Sequence, residues 1–189
     1  INGGNAAGIS GFESLTGGSG SDSLTAANIA NNINVTGSNR GNIGGVFSFS
    51  SVENLTGGTM NDAFVFSNGA SVSGTVDGGS GVTDSLNFAA YTTAVSINLQ
   101  TFSPTGINGG AAAGFSNIDS IAGGMAADTI TGPNADQTWT ISGSEAGDVA
   151  STFFSEFEAL VGGSLNDTFN FNNGVALDFS INGGAQTGA

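Results

Sequence analysis

The chain has 189 residues, 33 of them glycine, with no cysteine, no histidine and one basic residue against fifteen acidic ones, for a net charge of -14. This balance excludes nucleic acid and anionic membrane surfaces as partners, because both are recognised through basic patches. It also removes disulfides, thiol chemistry and the usual basic and nucleophilic side chains, leaving carboxylates, hydroxyls, Tyr91 and Arg40.

From Leu15 onward an aliphatic position recurs every nineteen to twenty-three residues, at Leu15, Val35, Leu55, Val76, Leu99, Ile121, Ile141, Leu160 and Ile181. A second apolar series trails it by eight to ten residues at Leu24, Ile43, Phe64, Leu86, Ile107, Ile130, Val149 and Phe169. Periods of this size mark a solenoid whose coils each carry two short strands. The sequence therefore predicts an all-β parallel β-solenoid (β-helix) of about nine coils of roughly 20–21 residues. Leu15, Val35 and Leu55 are expected in one interior column, with Leu24, Ile43 and Phe64 in another, in a rod on the order of 40 Å long. Alternation with period two at 95–99 and 175–181 supports strands, and Phe64, Phe66, Phe88, Trp139, Phe169 and Phe171 fall at inward parity as stacked core.

Each coil is punctuated by glycine after its first strand, at Gly17, Gly37, Gly57, Gly78, Gly123, Gly143, Gly162 and Gly183, which predicts a repeated left-handed bend. Next comes an Asx ladder, Asp22, Asn42, Asp62, Asp84, Asp128, Asp148 and Asp167, expected outward along one edge. Glu13, Glu53, Asp119 and Glu158 precede ladder aspartates by nine residues. Carboxylate pairs hydrolyse glycosides, but a pair that recurs four times is written as scaffold. Just before the first-series positions stand Ser14, Asn34, Asn54, Thr75, Asn98, Ser120, Thr140, Ala159 and Ser180, a neutral stripe suited to solvent, to glycan or to a copy of itself.

A longer period overlies the short one. Ile1-Asn2-Gly3-Gly4 returns as Ile107-Asn108-Gly109-Gly110, so five coils make a unit of 105 or 106 residues. The expected organisation is a first five-coil repeat over 1–106 and a second, truncated repeat over 107–189, continuous with it. The last residues stop inside a coil, which predicts a window on a longer repeat protein or a subunit covered by its neighbours. The expected partner is self, by axial stacking; no apolar run approaches the length of a membrane span.

Gly17-Gly18-Ser19-Gly20-Ser21-Asp22-Ser23-Leu24 resembles the glycine- and aspartate-rich nonapeptide of repeats-in-toxin (RTX) proteins, which bind calcium in a parallel β-roll. The turns opening at Gly57, Gly123 and Gly162 keep two glycines, the aspartate and the apolar residue; the turn at Gly78 has one residue inserted. The resemblance implies calcium on Asp22, Asp62, Asp84, Asp128 and Asp167 with backbone carbonyls of their turns; Asp148 lacks the double glycine. The alternative is that each aspartate accepts hydrogen bonds from its own turn. The Phe/Val-Glu-x-Leu-x-Gly-Gly turns resemble, more widely, repeat regions of large bacterial surface adhesins and exoproteins. That implies an extracellular or cell-surface structural segment and no enzyme. A carbohydrate- or surface-binding module is the alternative, and a β-helical polysaccharide-degrading enzyme a remoter one.

Overall fold

The structure, a computed structural model, describes residues 13–108, 114–176 and 178–185. The chain starts in β1 (Ser14–Thr16), crosses to β2 (Ser23–Thr25) and returns as β3 (Asn32–Gly37). It then doubles back twice through β4 (Arg40–Ile43) and β5 (Phe47–Ser50) before crossing to β6 (Asn54–Thr56). β7 (Ala63–Phe66), β8 (Val76–Asp77), β9 (Ser85–Asn87) and β10 (Ser96–Asn98) continue the alternation, followed by β11 (Ser103–Pro104) and β12 (Phe115–Ser116). β13 (Ser120–Ala122) and β14 (Thr129–Thr131) begin a second run of the pattern that starts at β1. A second meander follows, β15 (Gln137–Gly143), β16 (Ala146–Val149) and β17 (Thr152–Ser155), and then β18 (Ala159–Val161), β19 (Asp167–Phe171) and β20 (Ser180–Asn182).

The main sheet has eleven strands in the order β1-β5-β4-β3-β7-β9-β13-β17-β16-β15-β19. Two smaller sheets share its core, one ordered β12-β8-β6-β2 and the other β11-β10-β14-β18-β20. They meet where the Gly114 and Phe115 N–H groups donate to the Phe102 carbonyl at 2.8 and 3.1 Å, with the Phe102 and Phe115 rings edge to face at 5.5 Å. The described residues hold no helix, and the result is a parallel β-solenoid of about five turns. Strands β1–β8 recur as β13–β20, 105 or 106 residues later and in the same order.

The coil count and the columns differ from expectation. Leu15 stacks on Phe49, Val35 lies between Gly41 and Phe66, and Leu55 belongs to a smaller sheet, between Leu24 and Val76. Leu24, Ile43 and Phe64 are likewise divided between sheets. The parallel partner of a residue lies 21 residues away at Leu55–Val76 but 35 at Leu86–Ile121. The reason is the pair of antiparallel meanders: ten residues between apolar positions carry the chain to the other sheet in one place and turn it back in the same sheet in another. Eleven strands at about 4.8 Å make the main sheet about 48 Å deep.

Burial supplies the cohesion. Ile33, Phe64, Leu86, Ile121 and Phe154 form one axial row of the main sheet, and Ile97, Ile130 and Leu160 a row of the five-stranded sheet, each at most 3% exposed. Each such side chain contributes about 1.5–3 kcal/mol relative to exposure. Trp139 stacks on the partly buried Phe169 at 5.2 Å, and Phe66 on Phe88 at 4.9 Å. Phe171, expected inside, is 42% exposed on the edge strand β19.

The glycine column has a different cause from the one expected, since none of its described members has positive φ. A Cβ at Gly78 would lie 1.9 Å from the Asn117 carbonyl oxygen, and one at Gly123 equally close to that of Glu156. At these two turns the neighbouring coil occupies the space of a side chain, whereas Gly37 is crowded by the Arg40 side chain and at Gly143 the nearest atom is 3.8 Å away. Positive φ falls on other residues, among them the second glycines Gly79 and Gly184 and the meander turns at Gly44 and Gly45 in the first and at Ala150 and Ser151 in the second.

Candidate functional site

The five aspartates that the sequence singles out do not share one edge. Asp22 and Asp128 lie where the chain leaves the main sheet, and Asp62, Asp84 and Asp167 where it returns. Nor does the whole ladder face outward: Asp62, Asp84 and Asp128 are at most 1% exposed, whereas Asp22 and Asp167 are partly exposed. Asp148 and Asn42 are strand residues of β16 and β4, outside the turns.

What surrounds these carboxylates is a set of backbone donors. Asp62 Oδ2 accepts from the Gly58 N–H at 2.6 Å, and its Oδ1 accepts from the Asn31 N–H at 2.9 Å and the Asn31 side-chain amide at 2.7 Å. Asp22 and Asp167 accept from Gly18 and Gly163 at 2.7 and 2.9 Å, and Asp128 accepts from Gly124 and, at 2.6 Å, from Val95. In four of the five turns, then, the second glycine donates to the aspartate four residues on, the arrangement by which a short acidic side chain closes its own turn.

The second acidic set completes a latch between coils. Asp22, Asp84 and Asp128 donate their own N–H to Glu53, Asp119 and Glu158 at 2.8, 2.7 and 2.6 Å, and Asp62 donates to Asp84 at 2.7 Å. Along one edge these bonds run without interruption from Asn31 through Asp62 and Asp84 to Asp119. The nine-residue spacing of the two acidic sets is visible in the sequence; that a carboxylate of one coil caps the backbone of the next is visible only in the fold. Burial raises the Asp84 carboxyl above its ordinary 3.8, helped by the charges of Asp62 and Asp119 and opposed by N–H groups of Asp62 and Gly81. Burial, with Glu158 beside it, likewise raises Asp128.

This geometry decides how well the residues fit calcium. A hard cation needs six or more converging oxygens, whereas N–H groups present positive hydrogen to Asp62 and Asp128. Among the described residues, no three carboxylates come together to hold a metal. Both oxygens of Asp62 and of Asp128 are engaged, so the fit there is poor; Asp167 Oδ1 is buried without a hydrogen-bond partner.

The neutral stripe is split as well. Ser14, Asn34, Ser120 and Thr140 belong to the main sheet, whereas Asn54, Asn98, Ala159 and Ser180 belong to the smaller ones. On the main sheet a feature unnoticed in the sequence stands out: Phe153 points outward from β17, 61% exposed, beside a shallow recess of about 250 Å³. Its signal is the pair Phe153-Phe154, since two successive residues of a strand face opposite ways and only Phe154 is buried.

Comparison with known protein families, with curated proteins and with solved structures finds no match to this chain.

Proposed function

We propose that the chain is a structural segment of an extracellular or cell-surface fibre, the stalk of an adhesin-like protein that lengthens by axial addition of β-solenoid coils. The observation that carries this reading is the junction between its two units. There β9 pairs in parallel with β13, Leu86 opposite Ile121, so one unit passes into the next through an ordinary strand pair and a continuous core. An architecture in which the join equals the interior can be extended without limit, as repeat proteins are. The acidic groups support the same reading, because they spend their oxygens on the backbone of neighbouring coils and not on a substrate. The resemblance of its glycine turns to RTX and adhesin repeats supports a place outside the cell for such a segment.

Six strand spacings separate β1 from β13, so each unit should advance the rod by about 29 Å. A chain with an extra copy of residues 14–119 inserted before Ser120 should gain that length in small-angle scattering. Antibody against the folded chain should label filaments on the exterior of the source cell. Label confined to the cytoplasm, or an inserted copy that leaves the maximum dimension unchanged, would overturn the proposal.

A further inference from the structure

The recess beside Phe153 lies on the outer face of the main sheet, across the neighbouring parallel strands β9, β13 and β17. Its floor and walls are Ser85, Asn87, Ser120, Ala122, Phe153 and Ser155, with Leu86, Ile121 and Phe154 buried beneath. The register sets Ser85, Ser120 and Phe153 in one row and Asn87, Ala122 and Ser155 in the next. Small side chains thus leave a step at the foot of an aromatic ring. Its volume is below the roughly 300–1,000 Å³ of enclosed small-molecule pockets, which suits one ring lying on a surface.

Two observations say what kind of ring. The lining carries no charge, in a molecule of net charge -14, so an anionic ligand is disfavoured and a neutral one is not. The polar groups are also free to turn outward: the Asn87 side-chain oxygen accepts from the Ala89 N–H at 2.9 Å, leaving its amide hydrogens. The hydroxyls of Ser85, Ser120 and Ser155 make no hydrogen bond among the described residues. Asp148, opposite Phe153 on β16, adds a carboxylate acceptor at the rim. An aromatic face bordered by hydroxyl and amide groups, with one carboxylate acceptor at the rim, complements a molecule with an apolar C–H face and a rim of hydroxyls. A pyranose with equatorial hydroxyls is such a molecule.

Comparison of the two units makes the aromatic conspicuous. The counterpart of Phe153 in the first meander is Ser48, which pairs with Ser14 as Phe153 pairs with Ser120. The scaffold therefore holds this position with serine, and an exposed phenylalanine forgoes its burial energy there. We infer that Phe153 and the Ser85/Ser120/Ser155 step form a subsite for a neutral pyranose polysaccharide. The site faces sideways from the rod, so it does not depend on axial assembly and the failure of either leaves the other standing.

The test is titration of the whole chain with cellohexaose, maltohexaose and a charged oligogalacturonate, followed by aromatic and amide NMR shifts. The neutral oligomers should shift the Phe153 ring and the amides of Ser120 and Ser155 and saturate in the millimolar range or below; the oligogalacturonate should bind at least roughly tenfold more weakly. Phe153→Ser, which installs the residue of the first unit, should keep the thermal melt and lose roughly tenfold or more in affinity, while Phe153→Trp should retain binding. Unmoved Phe153 resonances at saturating cellohexaose, or equal binding by Phe153→Ser, would overturn the inference. So would sedimentation showing self-association that Phe153→Ser abolishes while no glycan binds, since the face would then be a contact between copies.

Discussion

At the scale of single residues, this protein uses aspartate chiefly as a backbone acceptor. Asp62 serves three donors at once, so Asp62→Ala should strand the Gly58 and Asn31 groups in a buried turn and cost about 3 kcal/mol. Asp62→Asn, which keeps an acceptor oxygen, should cost less; chemical denaturation of the two variants compares them directly. The raised carboxyls of Asp84 and Asp128 set the pH dependence. Because the folded state holds these protons more tightly than the unfolded chain, their contribution to stability is complete below the ordinary 3.8 and is lost as pH rises through the elevated folded values. The melting temperature should therefore climb as pH is lowered from 7 toward that range, and relief of mutual repulsion among fifteen acidic groups acts in the same direction. The Asp84→Asn, Asp128→Asn double variant should show a flatter profile than the parent chain.

Among the elements, the meanders are where the fold departs from a plain solenoid, and their middle strands show how they are accommodated. Gly41 on β4 and Gly147 on β16 sit opposite Phe49 and Phe154; an added Cβ would lie 1.9 and 2.3 Å from the Asn34 and Thr140 carbonyl oxygens and 2.7 and 2.8 Å from those rings. Glycine leaves room for the aromatic of the returning strand, and Gly147→Ala should destabilise by about 1–3 kcal/mol through overpacking. The turns joining β4 to β5 and β16 to β17 solve one backbone problem differently. The first uses Gly44 and Gly45 at φ 60° and 76°, whereas the second forces Ala150 and Ser151 to 50° and 64°. Left-handed backbone costs a side-chain-bearing residue roughly 1–2 kcal/mol, partly offset by the greater freedom of glycine in the unfolded chain. The Ala150→Gly, Ser151→Gly variant is thus expected to be more stable by about 1 kcal/mol, read as a higher denaturant midpoint with unchanged slope.

For the whole molecule, cohesion runs along the axis. Parallel pairing, the stacked rows and the carboxylate latches all join one coil to the next, and the two units share a single core. Native-state hydrogen exchange should accordingly be slowest in β7, β9 and β13, each paired on both edges near the middle of the main sheet, and faster in β1 and β19 at its margins. A ligand that bound only the folded rod would raise its melting temperature by mass action. Since N–H groups already satisfy Asp62 and Asp128, equal melting temperatures are expected in chelator and in millimolar calcium at matched ionic strength. A calcium-dependent rise would instead direct attention to Asp167, whose Oδ1 is buried without a donor.

The class of fold and the recurrence of its strands were legible in the residues alone. Apolar residues at strand parity, with no helical spacing of comparable strength, leave few ways to bury them other than stacked strands, and Leu15 returning as Ile121 or Leu55 as Leu160 preserves the order of strands in both units. The sequence also marks Asp22, Asp62, Asp84, Asp128 and Asp167 as the aspartates of glycine turns, without showing that they divide between two edges. Which residues stack is set by the folded chain. Val35 lies beside Phe66 and not Leu15 because two return strands occupy the intervening places, and a spacing of ten residues reads the same for a hairpin as for a crossing. The direction of Asp62 and the freedom of Phe153 were settled in the same way: whether a carboxylate turns inward to N–H groups, or a ring stays in solvent, depends on the neighbouring coil, which lies twenty to forty residues away in the chain.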